Sequence, residues 1–117
     1  MAENPIKDKS YKFAVRIVRL CKWLMDEKRE FILSKQLLRS GTSIGANVKE
    51  ALQGESRADF IHKLSIALKE ASETEYWLEL LRETAYLDQP QFDSINQDCQ
   101  EVLKLLISII KTAKQNP

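Results

Sequence analysis

Apolar residues return every three or four positions along almost the whole chain, and no stretch alternates as a half-buried strand would. Ala14, Ile17, Val18, Cys21, Leu24 and Met25 share one helical face, which predicts a first helix over about 8–27 after a short lead-in through Asn4 and Pro5. The charged run from Asp26 to Glu30 marks a turn. A second helix, about 31–53, carries Leu37, Leu38, Gly41, Ile44, Gly45, Val48, Ala51 and Leu52 on one side. Gly54 then supplies a left-handed stop, and Ser56 with Asp59 resembles a capping box for a third helix over about 56–85. That helix presents Phe60, Leu64, Ala67, Leu68, Ala71, Leu78 and Ala85. Asp88-Gln89-Pro90 breaks it, because proline suits a first turn and not a helix interior. The fourth helix, about 90–114, repeats the period through Phe92, Ile95, Cys99, Val102, Leu106, Ile109 and Ala113, and the tail from Lys114 to Pro117 frays. Four amphipathic helices joined by short turns predict an all-α fold, an antiparallel up-down-up-down four-helix bundle forming one domain over 1–117.

Two glycines interrupt the second helix at adjacent turns of its apolar face. A glycine inside a helix costs about 1 kcal/mol relative to alanine, so Gly41 and Gly45 need a compensating gain. That gain is space: without side chains there, a neighbouring backbone or bulky residue packs closer. Gly41, Ile44, Gly45 and Val48 therefore read as a tight helix–helix seam. A phosphate cradle is the weaker alternative, since Gly41-x-x-x-Gly45 lacks the lysine and the strand-turn-helix setting of a P-loop.

Composition narrows the class. A chain that is 44% hydrophobic and 30% charged suits a globular domain, and its three glycines and three prolines leave few turns. The apolar run Leu105 to Ile110 is far too short to span a bilayer, and the N-terminus has no secretory h-region, so no membrane partner is expected. Cys21 and Cys99 match no metal or redox spacing and fall on apolar faces, which predicts buried reduced thiols and a cytoplasmic location. The net charge of +1 hides an asymmetry: residues 1–63 carry 13 Lys+Arg against 8 Asp+Glu, and residues 64–117 carry 5 against 9. Such a split suits either a basic contact surface or complementary packing between helices or subunits.

Several side-chain groups stand outside the core pattern. The back of the third helix carries Ile66, Tyr76, Trp77, Leu80 and Leu87, and the fourth is broadened by Leu105 and Ile107. Either two bundle neighbours share the third helix, or a second subunit covers its back; the width of both helices tips the expectation toward a homo-oligomer with Ile66, Tyr76, Trp77 and Leu80 at the interface. Glu75 and Arg82 fall on the core side of the third helix, with Ser40, Ser43 and Asn47 as further partners for the carboxylate. Without a nucleophile or histidine nearby, a polar pin setting helix register outweighs a general acid/base. Asp59 and His62 approach a metal-binding spacing, but His62 is the single histidine and both point away from the core, so no metal and no cofactor are expected. Lys9, Lys12, Arg16 and Arg19 form a basic stripe along the first helix, with Trp23 in line and Lys22 at its edge. The stripe reads as a solvated face, a protein contact, or a weak nucleic-acid surface in which the tryptophan stacks on a base.

Three blocks carry a family resemblance. Gln36 to Ala51, QLLRSGTSIGANVKEA, resembles the signature of the small bacterial four-helix bundle proteins, also called the 23S rRNA intervening-sequence protein family. His62 to Leu81, HKLSIALKEASETEYWLELL, is similar to that family's third helix, and Phe13 to Leu20, FAVRIVRL, to its first. The resemblance implies a bundle assembled as a ring-like homopentamer, with no enzymatic activity and no cofactor. Through a related branch, the accessory proteins of diversity-generating retroelements, it implies nucleic-acid contact, and Arg16, Arg19 and the nearby lysines become the candidate residues. The expected function is a non-enzymatic oligomeric scaffold with weak RNA contact; the alternative is a protein-binding assembly module with no nucleic-acid role.

Overall fold

The computed structural model describes residues 4–115 and contains four helices, α1 Pro5–Glu27, α2 Leu33–Leu52, α3 Arg57–Glu83 and α4 Gln89–Gln115, with no strand among the described residues. The chain is a four-helix bundle in which each helix packs on the next and α4 returns to α1, the thinnest of the four seams. Cross-helix contacts run in opposite residue order: Ser10 lies by Gly45 and Cys21 by Ser34, Arg39 by Glu73 and Glu50 by Lys63, Glu75 by Gln100 and Arg57 by Ala113.

The helix ends differ from the expected ones for local reasons. α1 starts at Pro5, not near residue 8, because Asn4 is its N-cap: the Lys7 N–H donates to Asn4 Oδ1 at 3.3 Å, and Pro5 sits where its missing N–H is harmless. α2 starts at Leu33, not 31, because Glu30 folds over its N-terminus. The Glu30 carboxylate accepts from the backbone N–H groups of Ile32 (3.2 Å), Leu33 (3.0 Å) and Ser34 (2.7 Å), and from the Ser34 hydroxyl (2.8 Å). Gly54 is not left-handed, since no glycine has positive φ. An added Cβ there would lie 2.7 Å from the movable Asp59 Oδ2 and 3.1 Å from the Ala51 carbonyl oxygen. The first half of the expected capping box is present, with the Asp59 N–H donating to Ser56 Oγ at 3.0 Å. α3 stops at Glu83 in a Schellman motif whose left-handed residue is Ala85 (φ 67°), with Tyr86 N–H donating to Leu81 O at 2.9 Å and Ala85 N–H to Arg82 O at 3.0 Å. α4 continues through Lys114 and Gln115 instead of fraying there; Asn116 and Pro117 lie outside the described residues.

The core is a single cluster built from all four helices, with Ile17, Leu24, Leu37, Ile44, Leu64, Leu78 and Leu106 fully buried. Five expectations of facing need correction. On α1 the inward line is Ile6, Ser10, Phe13, Ile17, Cys21 and Leu24, which leaves Val18, one position off that line, exposed. Leu52, at the last turn of α2, is also exposed. On α3 it is Thr74, not Glu75, that points inward, and its hydroxyl meets Ser40 Oγ of α2 at 2.9 Å as the buried polar pin. Beyond the α3 terminus the reversal at Ala85 leaves that residue exposed and turns Leu87 into the core, so Leu87 is not part of any outer face.

Candidate functional site

The seam between α1 and α2 sets where every outward side chain of α1 stands. Gly41 is buried against Ile17: a Cβ on it would lie 2.7 Å from Ile17 Cγ2 and 2.9 Å from Cγ1. At Gly45 a Cβ would approach the Ser10 carbonyl oxygen to 3.3 Å, so here the neighbour is backbone. Ile44 and Val48 fill the interior between these contacts. Glu75, half-buried, reaches α4, where its carboxylate accepts from Gln100 Nε2; Ser43 and Asn47 donate to carbonyls of their own helix, Arg39 O and Ser43 O. Arg82 meets neither Glu75 nor Ser40, its guanidinium lying 4.3 Å from the Phe92 ring centroid.

The basic stripe of α1 divides in two. Lys9 Nζ pairs with Glu101 at 3.1 Å. Arg16 pairs with Asp98 at 2.7 Å and donates to the Ser94 carbonyl (3.1 Å) and hydroxyl (2.9 Å). These two cations clamp α1 to α4 and are neutralised there. Lys12, Arg19 and Lys22 are exposed and form no ion pair among the described residues. Arg19, Leu20 and Trp23 of α1 then wall a cleft of about 580 Å³ against Pro90, Gln91 and Ile95 at the start of α4.

Trp23 is the hinge of this surface. It is half-buried on the core and also borders a second hollow at the end of the bundle, shared with Lys28, Arg82 and Tyr86. Lys28 Nζ lies 5.4 Å from the Trp23 ring centroid, within cation–π range. The turn after α1 and the Schellman turn after α3 bring Lys28, Arg82 and Tyr86 to Trp23. Sequence reasoning placed Lys28 in a turn and Arg82 in the core; the one available signal was Pro90, which fixes where α4 begins beside them. The resulting patch joins an indole, a phenol and the cations Arg19, Lys28 and Arg82, with Asp88 and the Asp98-paired Arg16 on its rim.

On α3, Ile66, Trp77 and Leu80 are half-buried while Tyr76 is 57% exposed. The Trp77 indole N–H donates to Glu73 at 3.0 Å, and the Tyr76 ring meets Trp77 edge-on at 5.0 Å. Neither thiol is poised for chemistry. Burial, reinforced by Glu30, pushes Cys21 up to about 12, and burial, reinforced by Glu75 and Glu79, does the same to Cys99. Among the described residues no cluster of three or more His, Cys, Asp or Glu could hold a metal, and no helix is long and apolar enough to cross a membrane.

Fold and site together define a small all-helical bundle protein with a close glycine seam, inert buried cysteines and a cationic–aromatic cleft at one end. The family model of the 23S rRNA-intervening sequence protein matches residues 2–108, and the chain belongs to that family. It is similar to a solved protein of unknown function from the S23 ribosomal protein family of Bacteroides thetaiotaomicron VPI-5482, at 67% identity and a TM-score of 0.90 over 91% of this chain and 98% of that one. No curated protein matches. Neither description names an enzymatic activity.

Proposed function

We propose that the chain is a non-enzymatic cytoplasmic scaffold: an antiparallel up-down-up-down bundle that assembles into a ring, a homopentamer as the family resemblance implies, and contacts RNA weakly. The opposed residue order of the cross-helix contacts supports the topology, and the exposed Tyr76 supports self-association. The observation that carries the RNA reading is Trp23, held between two hollows with Arg19 on one side and Lys28 on the other. A base stacked on an indole is worth about 1–3 kcal/mol and is indifferent to sequence, while neighbouring cations take the phosphates. The retroelement branch of the resemblance points the same way.

Fluorescence anisotropy with labelled single-stranded RNA tests this. Binding at low salt is expected to fall steeply as salt rises, because each phosphate contact releases counterions. Trp23→Ala weakens it about 5- to 100-fold, and reversal of Arg19 and Lys22 to glutamate abolishes it. Arg16 is left in place, since its loss would loosen α1 from α4. No binding at low salt ends the RNA reading. The second reading, a protein-binding assembly module, is favoured by the Lys9–Glu101 and Arg16–Asp98 pairs, which remove two charges from the stripe.

A further inference from the structure

Self-assembly leaves open which surfaces meet, and two of them answer each other in shape and charge. Between α1 and α2 runs an apolar groove of about 570 Å³ with Ala14, Thr42, Gly45 and Ala46 along its floor and Tyr11, 70% exposed, on its wall. Its depth comes from Gly45: a helix that approaches the Ser10 carbonyl so closely leaves no side chain to fill the cleft above. Val18 prolongs the same side of α1, exposed at 39%. Lys7, Lys12 and Lys49 line the groove, none in an ion pair among the described residues, against a single carboxylate, Asp8. Across the bundle, Tyr76, 57% exposed, projects from α3 beside half-buried Leu80, a ridge flanked by Glu79, Glu83 and Arg82. Those two glutamates form no ion pair among the described residues, whereas Glu70 and Glu73, on the α2 side, are held by Arg39. Two cations belong to this face: Lys69, two turns from Tyr76, and Arg82, whose guanidinium is turned onto the Phe92 ring at 4.3 Å.

We infer that the α3 ridge of one copy docks in the α1–α2 groove of a second copy, head to tail. This rests on the self-assembly proposed above and adds the two faces and their polarity. A groove-to-groove pairing would set three lysines against three lysines, and a ridge-to-ridge pairing would set glutamates together. The groove–ridge pairing buries Tyr76 among small residues and places Glu79 and Glu83 on the lysine rim. Since each copy offers one groove and one ridge on different helices, the contact repeats and closes a ring or extends a filament.

Two single variants, each killing one face, test the polarity by sizing with light scattering. Ala46→Trp fills the groove from an exposed position, and Tyr76→Asp disables the ridge; circular dichroism confirms that both keep wild-type helicity, and Lys49→Glu replaces Ala46→Trp if that variant does not. Each alone is expected to run as a monomer of 13.5 kDa. Their equimolar mixture recovers a species of twice that mass and no larger, because the intact ridge of one fits the intact groove of the other and both remaining faces are dead. Either variant retaining the wild-type mass, or a mixture that stays monomeric, overturns the docking. A wild-type chain that is monomeric at tens of micromolar overturns the assembly reading itself.

Discussion

Replacing Gly41 by alanine sets two opposed effects of known size against each other. An alanine in a helix interior is favoured over glycine by about 1 kcal/mol, so propensity alone predicts stabilisation. The new Cβ, however, would sit 2.7 Å and 2.9 Å from the two Cγ atoms of Ile17 and 3.2 Å from its Cβ. Carbon atoms pack best at about 3.5–4.0 Å, so all three contacts are too short. Ile17 cannot swing away: it is fully buried, and a β-branched side chain in a helix has essentially one χ1 well. Overpacking of this kind costs about 1–3 kcal/mol, so Gly41→Ala is expected to lose about 1 kcal/mol net. The sign reverses once the obstruction is removed. In an Ile17→Ala background, which is itself about 2–5 kcal/mol less stable, both Cγ atoms are gone, only the 3.2 Å approach to the Cβ of residue 17 remains, and Gly41→Ala gains up to about 1 kcal/mol. The coupling of about 2 kcal/mol is read from a double-mutant cycle in urea, followed by circular dichroism at fixed protein concentration because assembly contributes to apparent stability. Gly41→Leu goes further and unfolds the chain. A wild-type background that becomes more stable with Gly41→Ala, or an equal effect in both backgrounds, would refute the seam as the reason for the glycine.

Ala85→Gly is expected to stabilise by about 1 kcal/mol, seen as a rise in Tm, because the Schellman turn holds this alanine at φ 67° where glycine is unstrained. At Glu30 burial raises the carboxyl pKa, but the N–H groups of Leu33 and Ser34, the Ser34 hydroxyl and the N–H of Ile32 outweigh it, leaving the value below the ordinary 4.5. The stability this adds is present above about pH 4.5 and lost as pH falls through the folded value; Glu30→Gln therefore costs about 1 kcal/mol at pH 7 by urea denaturation, and the difference from wild type closes as pH falls through that lowered value. Thr74→Val removes the hydroxyl from the buried pair with Ser40 and lowers the unfolding free energy by about 1 kcal/mol, against no change if the pair is idle. Cys21 and Cys99 are expected to resist iodoacetamide at pH 8 in the native protein and react in denaturant; rapid native labelling would contradict thiols held near 12.

The helices were legible because their periodicity is set by one buried stripe each, and long amphipathic segments state that stripe repeatedly. What failed was information carried by a neighbour. Val18 and Ile17 are adjacent and equally apolar, so only the presence of α2, pressed on Ile17 through Gly41, decides which one is inside. Thr74 and Glu75 pose the same problem one residue apart, resolved by Ser40 on one helix and Gln100 on another. The left-handed turns fell on Arg29 and Ala85 instead of Gly54, because hydrogen bonds in the helix C-caps impose that conformation on whichever residue occupies it. The site was half legible. The cations and Trp23 of α1 lie in one line of sequence, but their pairing with Asp98, Ser94 and Glu101, and the arrival of Lys28, Arg82 and Tyr86, depend on how the turns deliver residues from elsewhere.

α1 is the element on which both outer surfaces depend, and it is held unequally. Toward α4 it has the sparsest packing of any seam, secured at its outer edge by exposed ion pairs, and such pairs are worth little individually. Toward α2 it is fixed by the Ile17–Gly41 and Ser10–Gly45 contacts, which tolerate almost no displacement. A loosened seam would therefore move α1 as a unit, opening the groove beside Gly45 and shifting Arg19 and Trp23 away from Pro90 and Ile95 at once. Substitutions on the surfaces themselves act one at a time: Ala46→Trp touches assembly and leaves the cleft intact, and Trp23→Ala does the reverse. Coupled loss from seam variants together with separable loss from surface variants is what a rigid glycine seam carrying two independent contact faces requires, since a single shared interface would make every one of these substitutions fail together.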